Sequence, residues 1–195
     1  MTLTTETQTI QIERLVYRSS IPFSTAESRL RSSIRPSPGS SLWGAPQGQG
    51  QAQRPTDRES YEARVKSLVG PHGFMYFHEF NHGLWLPFYE PPSSTVTVKG
   101  VKKNLNCKRF VLGNPMIAIT ILQHDLSAGL CVPVELCLVE EAEGGVKIVW
   151  YKPTSLIAGY EGAKQELVDA ANALSIKLET FVKWVLRDDE GEGKL

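Results

Sequence analysis

The 195-residue sequence predicts an α+β domain: a curved antiparallel sheet packed by helices, with a long helix at the C-terminal end. Three observations carry this. Lys108–Leu112 is a short β-rich run that turns sharply at Gly113-Asn114-Pro115 into helical spacing. Val132, Val134, Leu136 and Leu138 alternate with their neighbours and are followed by Gly144-Gly145 and a returning run, Val146–Tyr151. From Glu161 onward, apolar residues recur at helical spacing to Val185.

The elements follow in chain order. Thr9–Tyr17 alternates Ile10 and Ile12 with polar neighbours and reads as the first strand. Ile21-Pro22 breaks it, and Ser24 or Thr25 caps a helix to about Ile34, with Glu27 in its first turn. Pro36–Pro55 is rich in Pro, Gly, Ser and Gln and reads as a mobile insertion in which Leu42 and Trp43 are the only large apolar groups. It separates residues 1–35 from residues 56–187 of the same domain; 188–195 reads as a solvated tail.

Thr56–Val69 reads as a helix, with Thr56 as N-cap, Glu59 three residues on, and Tyr61, Val65 and Leu68 as its stripe. Gly70-Pro71 ends it. Phe74–Phe80 is aromatic and strand-like, with Phe74, Tyr76, His78 and Phe80 expected on one face and Met75, Phe77 and Glu79 on the other. Pro91–Ser94 marks a loop, and Thr95–Lys99 a short edge strand.

At the corner, Asn114 is a strong N-cap type and Pro115 fits the first helical position, where a missing N–H costs nothing. Ala118, Ile121, Leu122 and Leu126 form one stripe, and Gly129 is the expected stop. Gly144-Gly145 as a two-residue turn places Val139 opposite Trp150 and Cys137 opposite Lys152. The last helix spans about 25 residues and near 40 Å, with Ala163, Leu167, Ala170, Leu174, Leu178, Phe181 and Val185 facing the sheet. Glu179 and Lys183 make an i,i+4 pair on its wet side.

His78-Glu79-Phe80-Asn81-His82 matches the His-Glu-x-x-His pattern of zinc hydrolases. That chemistry needs a helix to bring both imidazoles to one face. The flanks are aromatic and broken by Gly73, Gly83 and Pro87, and on a strand residues four apart lie ~13 Å from each other. The expectation is therefore no metal and no cofactor. The stretch reads instead as the wall of a small-molecule pocket, with His78, Glu79, His82, Trp85, Asn114 and Tyr151 as candidate ligand-binding residues. His78, Glu79 and Glu135 are the candidates for acid–base chemistry, Glu135 only if its face is concave. Asn114 also opens a helix whose free amides can receive an anion, though no glycine-rich cradle accompanies it.

The runs FVLGNPMIAITIL, LCVPVELCLVEE and VKIVWYKP resemble the domain-of-unknown-function family 302, and GFMYFHEFNHGLWLPFY is similar to its fungal members. The resemblance covers roughly residues 8–160, with an insertion. It implies the TATA-box-binding-protein-like helix-grip arrangement, in which a sheet holds the C-terminal helix, and it implies no activity.

Charge is balanced, 21 basic against 21 acidic side chains, which gives no net electrostatic case for nucleic acid or an anionic membrane. No apolar run approaches the ~20 residues of a membrane helix, and the first residues carry no secretory pattern. Cys107, Cys131 and Cys137 form no Cys-x-x-Cys and leave one odd, which fits buried thiols in a reduced, cytoplasmic protein. Function is unknown at this level. The best expectation is a module or metal-independent enzyme for a small apolar molecule; the rivals are a protein-interaction or homodimerising domain, and a zinc hydrolase through His78 and His82.

Overall fold

The structure is a computed structural model and describes residues 2–34 and 55–188; of the insertion expected at 36–55, residues 36–54 with Leu42 and Trp43, and of the tail expected at 188–195, residues 189–195, lie outside the described residues. The chain is α+β. In order it runs β1 (Arg14–Ser19), α1 (Phe23–Ile34), α2 (Arg58–Leu68), β2 (Met75–Asn81), β3 (Thr95–Val98), β4 (Val101–Asn104), β5 (Cys107–Gly113), α3 (Pro115–Leu122), β6 (Val134–Glu140), β7 (Val146–Tyr151), α4 (Pro153–Ile157) and α5 (Gln165–Leu186). Five strands form one antiparallel sheet in the order β1-β7-β6-β5-β2. β3 and β4 form a separate hairpin. Its β4 arm is absent from the sequence reading; Lys99-Gly100, both at positive φ, makes the two-residue turn.

The core lies on one side of the sheet. Leu136, Leu138, Ile148, Trp150, Phe110 and Leu112 are buried there beside Ala26, Leu30 and Ile34 of α1 and the stripe of α5. Leu167, Leu174, Leu178, Phe181 and Val185 are buried as expected, and Ala171 and Val182 join them. Burying each large apolar side chain contributes about 1.5–3 kcal/mol. The Glu179–Lys183 pair forms at 2.7 Å, but it is solvent-exposed and screened. The stripe, not the ion pair, holds α5 to the sheet. α5 begins at Gln165 rather than Glu161, because Gly162 sits at φ +84° just before it.

The corner is as the sequence predicts. Asn114 Oδ1 accepts from the Met116 amide at 2.9 Å, and Pro115 opens α3. Asn114 Nδ2 also donates to the Gly73 carbonyl, tying the corner to the start of β2. The helix is shorter than expected. It ends at Leu122, and a 3-10 turn, Leu126–Leu130, follows after Asp125 caps it. Leu126 is therefore 83% exposed instead of on the stripe. α2 is capped one residue later than expected, by Asp57 with Ser60 in reciprocal hydrogen bonds.

Two registers differ from the sequence reading. Val139 pairs with Lys147, and Trp150 with Leu136, not with Val139. The connection between β6 and β7 is five residues, Glu141–Gly145, closed by Gly144 N to Glu141 O and Glu141 N to Gly145 O. The two glycines end this loop; they are not its two central residues. In β2, Tyr76 faces Leu112 but His78 faces Val111, so Phe77 is an extra residue, a β-bulge. Up to Tyr76 the expected alternation holds. Beyond it the phase inverts, so Tyr76 and Glu79 share the helix-covered face while His78 and Phe80 share the other.

Candidate functional site

Among the described residues no helix packs on the second face of the sheet, and the strand registers arrange that face in transverse rows. One row is Arg14–Tyr151 on one edge and Glu135–Val111–His78 on the other. The next is Val16–Val149–Cys137–Arg109–Phe80. The third is Arg18–Lys147–Val139–Cys107. Val16, Val111, Val139 and Val149 are only half-buried there. Glu135 forms a two-pronged ion pair with Arg109, whose guanidinium lies 5.4 Å from the Phe80 ring centre. Lys152 pairs with Glu13 at 2.9 Å.

The candidate residues do not converge. His78 and Glu135 flank Val111 on the open face. Glu79 lies on the other face and is held by Arg31 at 2.7 Å. His82 begins a 3-10 turn beyond β2, where its ring meets Trp85 edge-on at 5.8 Å. Asn114 is occupied as a cap. Tyr151 stands 48% exposed at the β7 end. Residues 75–81 run extended, so the helical spacing that a His-Glu-x-x-His zinc centre requires does not occur. Among the described residues no cluster of three or more His, Cys, Asp or Glu is placed to hold a metal ion.

Two features escaped the sequence reading. The first is an ion network beneath α1. Glu27 accepts from Lys108 and from Arg31, and Arg31 also reaches Glu79. Burial alone would raise the Glu27 carboxyl; the hydrogen bonds from Lys108 and Arg31 outweigh it and hold the group below its ordinary value. Beside this network lies a surface cleft of about 430 Å³, lined by Phe23, Ser24, Glu27, Lys103, Asn106 and Glu140 among others.

The second is a thiol pair. Cys107 Sγ and Cys137 Sγ are 3.9 Å apart on the open face, joined by an S–H···S contact. The sequence separates them by 30 positions, and only the β5–β6 register brings them together. The hydrogen bond from Cys107, with Arg109, Arg14 and Lys147 nearby, brings the Cys137 thiol down to about 7 against the opposing effect of burial. The same contact, together with burial, pushes Cys107 up. Cys131 is of a different kind: half-buried, donating to the Leu156 carbonyl at 3.5 Å, and raised by burial.

The chain belongs to the family described as domain of unknown function DUF302, which matches residues 51–183. It is similar to the crystal structure of an uncharacterized conserved DUF302 protein from Bacillus stearothermophilus, at a TM-score of 0.54 and 18% identity over 89% of this chain and 98% of that one. At that identity the likeness is one of fold. No curated protein matches the chain. No helix among the described residues is long and apolar enough to cross a membrane.

Proposed function

We propose that the chain is an association module whose uncovered sheet face docks a second copy of itself. One observation carries this reading. The open face carries Val16, Val149, Val111 and Val139, half-buried among charges of both signs, and no helix covers it among the described residues. Layered folds ordinarily cover such a side, and apolar surface left uncovered marks a contact site. A second copy fits because Arg14, Arg18, Lys147 and Arg109 share the face with Glu135 and Glu141, so a twofold arrangement can exchange these pairings across the contact.

The sheet face alone is smaller than a stable pair requires. Five strands about 4.8 Å apart and some six residues long present roughly 480 Å². A stable pair needs about 800 Å² per partner. Beyond the end of β2, Leu84, Trp85, Phe88 and Tyr89 are 73%, 48%, 84% and 77% exposed. Aromatic groups are enriched at such interfaces and would supply the rest. The helix-grip arrangement and a reducing, cytoplasmic setting, consistent with three unbridged thiols, are part of this proposal.

Light scattering on the full chain, on Val149→Asp and on a version lacking residues 36–55 tests it. We expect a concentration-dependent dimer that Val149→Asp converts to a monomer of unchanged melting temperature. A monomer at every concentration, or a dimer indifferent to Val149→Asp, overturns the reading. Loss of the dimer only on removing 36–55 would move the contact to that segment.

The cleft beside α1 favours a second reading, a small-molecule module. Its volume falls in the range of ligand sites. Its lining includes Lys103, Asn106, Glu140 and Ser24, which suits a polar molecule better than the apolar one expected from the sequence. Thermal-shift screening against Lys103→Ala would test it; no ligand that shifts the native chain alone would discard it.

A further inference from the structure

We propose that Cys137 and Cys107 form a thiol–disulfide exchange site on the open sheet face, with Cys137 as nucleophile, Cys107 as resolving thiol, and a low-molecular-weight disulfide as the oxidising substrate. The geometry carries it. The two sulfurs lie 3.9 Å apart, already sharing one S–H. Cys107 stands opposite Val139 and Cys137 opposite Arg109, so they are diagonal neighbours across β5 and β6. Cys107 is the first residue of its strand, and the sulfurs have to close to about 2.05 Å to bond. Among the described residues no helix covers that face, and both thiols are half-buried, not enclosed. Reactive cysteines are accessible, lie in electropositive surroundings and have a resolving partner at hand.

The charged and titratable groups that share the face with Cys137 are Arg109 directly opposite, Lys147 on β7, Arg14 and Arg18 on β1 beyond it, His78 on β2, and two carboxylates. Glu135 is tied to Arg109 and Glu141 to Lys147 and Arg18, so neither is free to oppose a thiolate. This agrees with the lowered Cys137 thiol.

The chemistry balances in two exchanges. The Cys137 thiolate attacks one sulfur of R–S–S–R. The S–S bond breaks, R–S⁻ leaves and takes a proton, and a mixed disulfide remains on Cys137. Cys107 gives up its proton and attacks the Cys137 sulfur, expelling the second R–SH and closing the Cys107–Cys137 bond. Two electrons pass from the cysteine pair to the small disulfide, which leaves as two thiols.

Reduced protein, dilute enough that self-association plays no part, is treated with oxidised glutathione and followed by intact and peptide mass spectrometry. The native chain is expected to lose two hydrogens and yield one bridge, mapped to Cys107–Cys137. Cys107→Ser is expected to stop at a glutathione adduct on Cys137, and Cys137→Ser to give neither product at a comparable rate. The initial rate should fall about tenfold from pH 8 to pH 6, against roughly seventyfold for a thiol at its ordinary value near 8.5. No bridge in the native chain, no adduct on Cys107→Ser, or first reaction at Cys131 overturns the proposal. Circular dichroism of both serine variants separates these outcomes from misfolding, and Cys131→Ala is expected to form the bridge as the native chain does.

Discussion

Arg31 Nη2 lies 2.7 Å from Glu79 Oε1, joining the last turns of α1 to the middle of β2. The same guanidinium bonds Glu27 at 2.8 Å and stands 5.2 Å from the centre of the Phe110 ring. Glu79 is therefore a fastening of helix to sheet, on the face opposite its sequence neighbour His78.

Glu27 is the hub of that fastening, and Glu27→Gln should destabilise the fold by about 1–3 kcal/mol, because it leaves two half-buried cations short of a partner. The pH behaviour follows from its lowered carboxyl. A depressed acid contributes fully above its unfolded value, about 4.3, and loses that contribution as pH falls through the folded value. Urea unfolding should show a shallower acid-side decline in Glu27→Gln than in the native chain; equal declines would contradict the assignment.

His72 gives a second pH dependence, nearer neutrality. Its ring packs on Trp184 at 4.2 Å and Phe181 at 5.2 Å. Burial first, then Arg187 and Lys177, hold the imidazole below its ordinary value. The neutral ring is the one the fold prefers. Its contribution is whole above about pH 6.5 and fades as pH drops through the folded value. Thermal melts over this interval should flatten in His72→Phe, and a slope as steep as the native one would count against this account.

Gly144 and Gly145 offer a paired test of the β6–β7 loop. Both have positive φ, +98° and +81°. A Cβ at Gly144 meets nothing, whereas at Gly145 it would lie 2.5 Å from the Ser19 carbonyl. Gly144→Ala should cost about 1–2 kcal/mol from backbone strain alone. Gly145→Ala should cost clearly more, because Ser19 ends β1 and its backbone must shift. The reverse ranking in chemical denaturation would refute the five-residue loop.

Asn114→Ala removes both the α3 cap and the bond to Gly73. A loss of about 1–2 kcal/mol is expected. Asn114→Asp should recover part of it, since a carboxylate still accepts from the Met116 amide but cannot donate to Gly73. Equal stability of Asn114→Asp and the native chain would mean that the Gly73 bond contributes nothing, and equal stability of the two variants that the cap contributes nothing.

What the sequence makes legible is whatever is written locally. Asn114-Pro115 names a helix start by itself, and the α5 stripe repeats often enough to fix its face. Features set by distant partners are not legible. The β6–β7 register depended on how many of Glu141–Gly145 lie in the turn, and composition allowed more than one answer. The Phe77 bulge has no glycine or proline to announce it, so the alternation of an aromatic run looked unbroken. Glu27, Arg31, Lys108 and Glu79 come from three separate segments, and Cys107 and Cys137 from two strands. The His78–Asn81 stretch runs extended, because its flanks, not its histidines, decide its conformation.

The extra residue at Phe77 also sets how β2 tolerates change in length. Removing that one position would leave Tyr76 and His78 adjacent, opposite Leu112 and Val111, in an uninterrupted pleat whose downstream side chains keep their present faces. Glu79 would still meet Arg31 beneath α1, and His78 and Phe80 would stay on the uncovered side. An in-frame loss of this single codon should therefore be accommodated with the rest of the β2–β5 pairing intact.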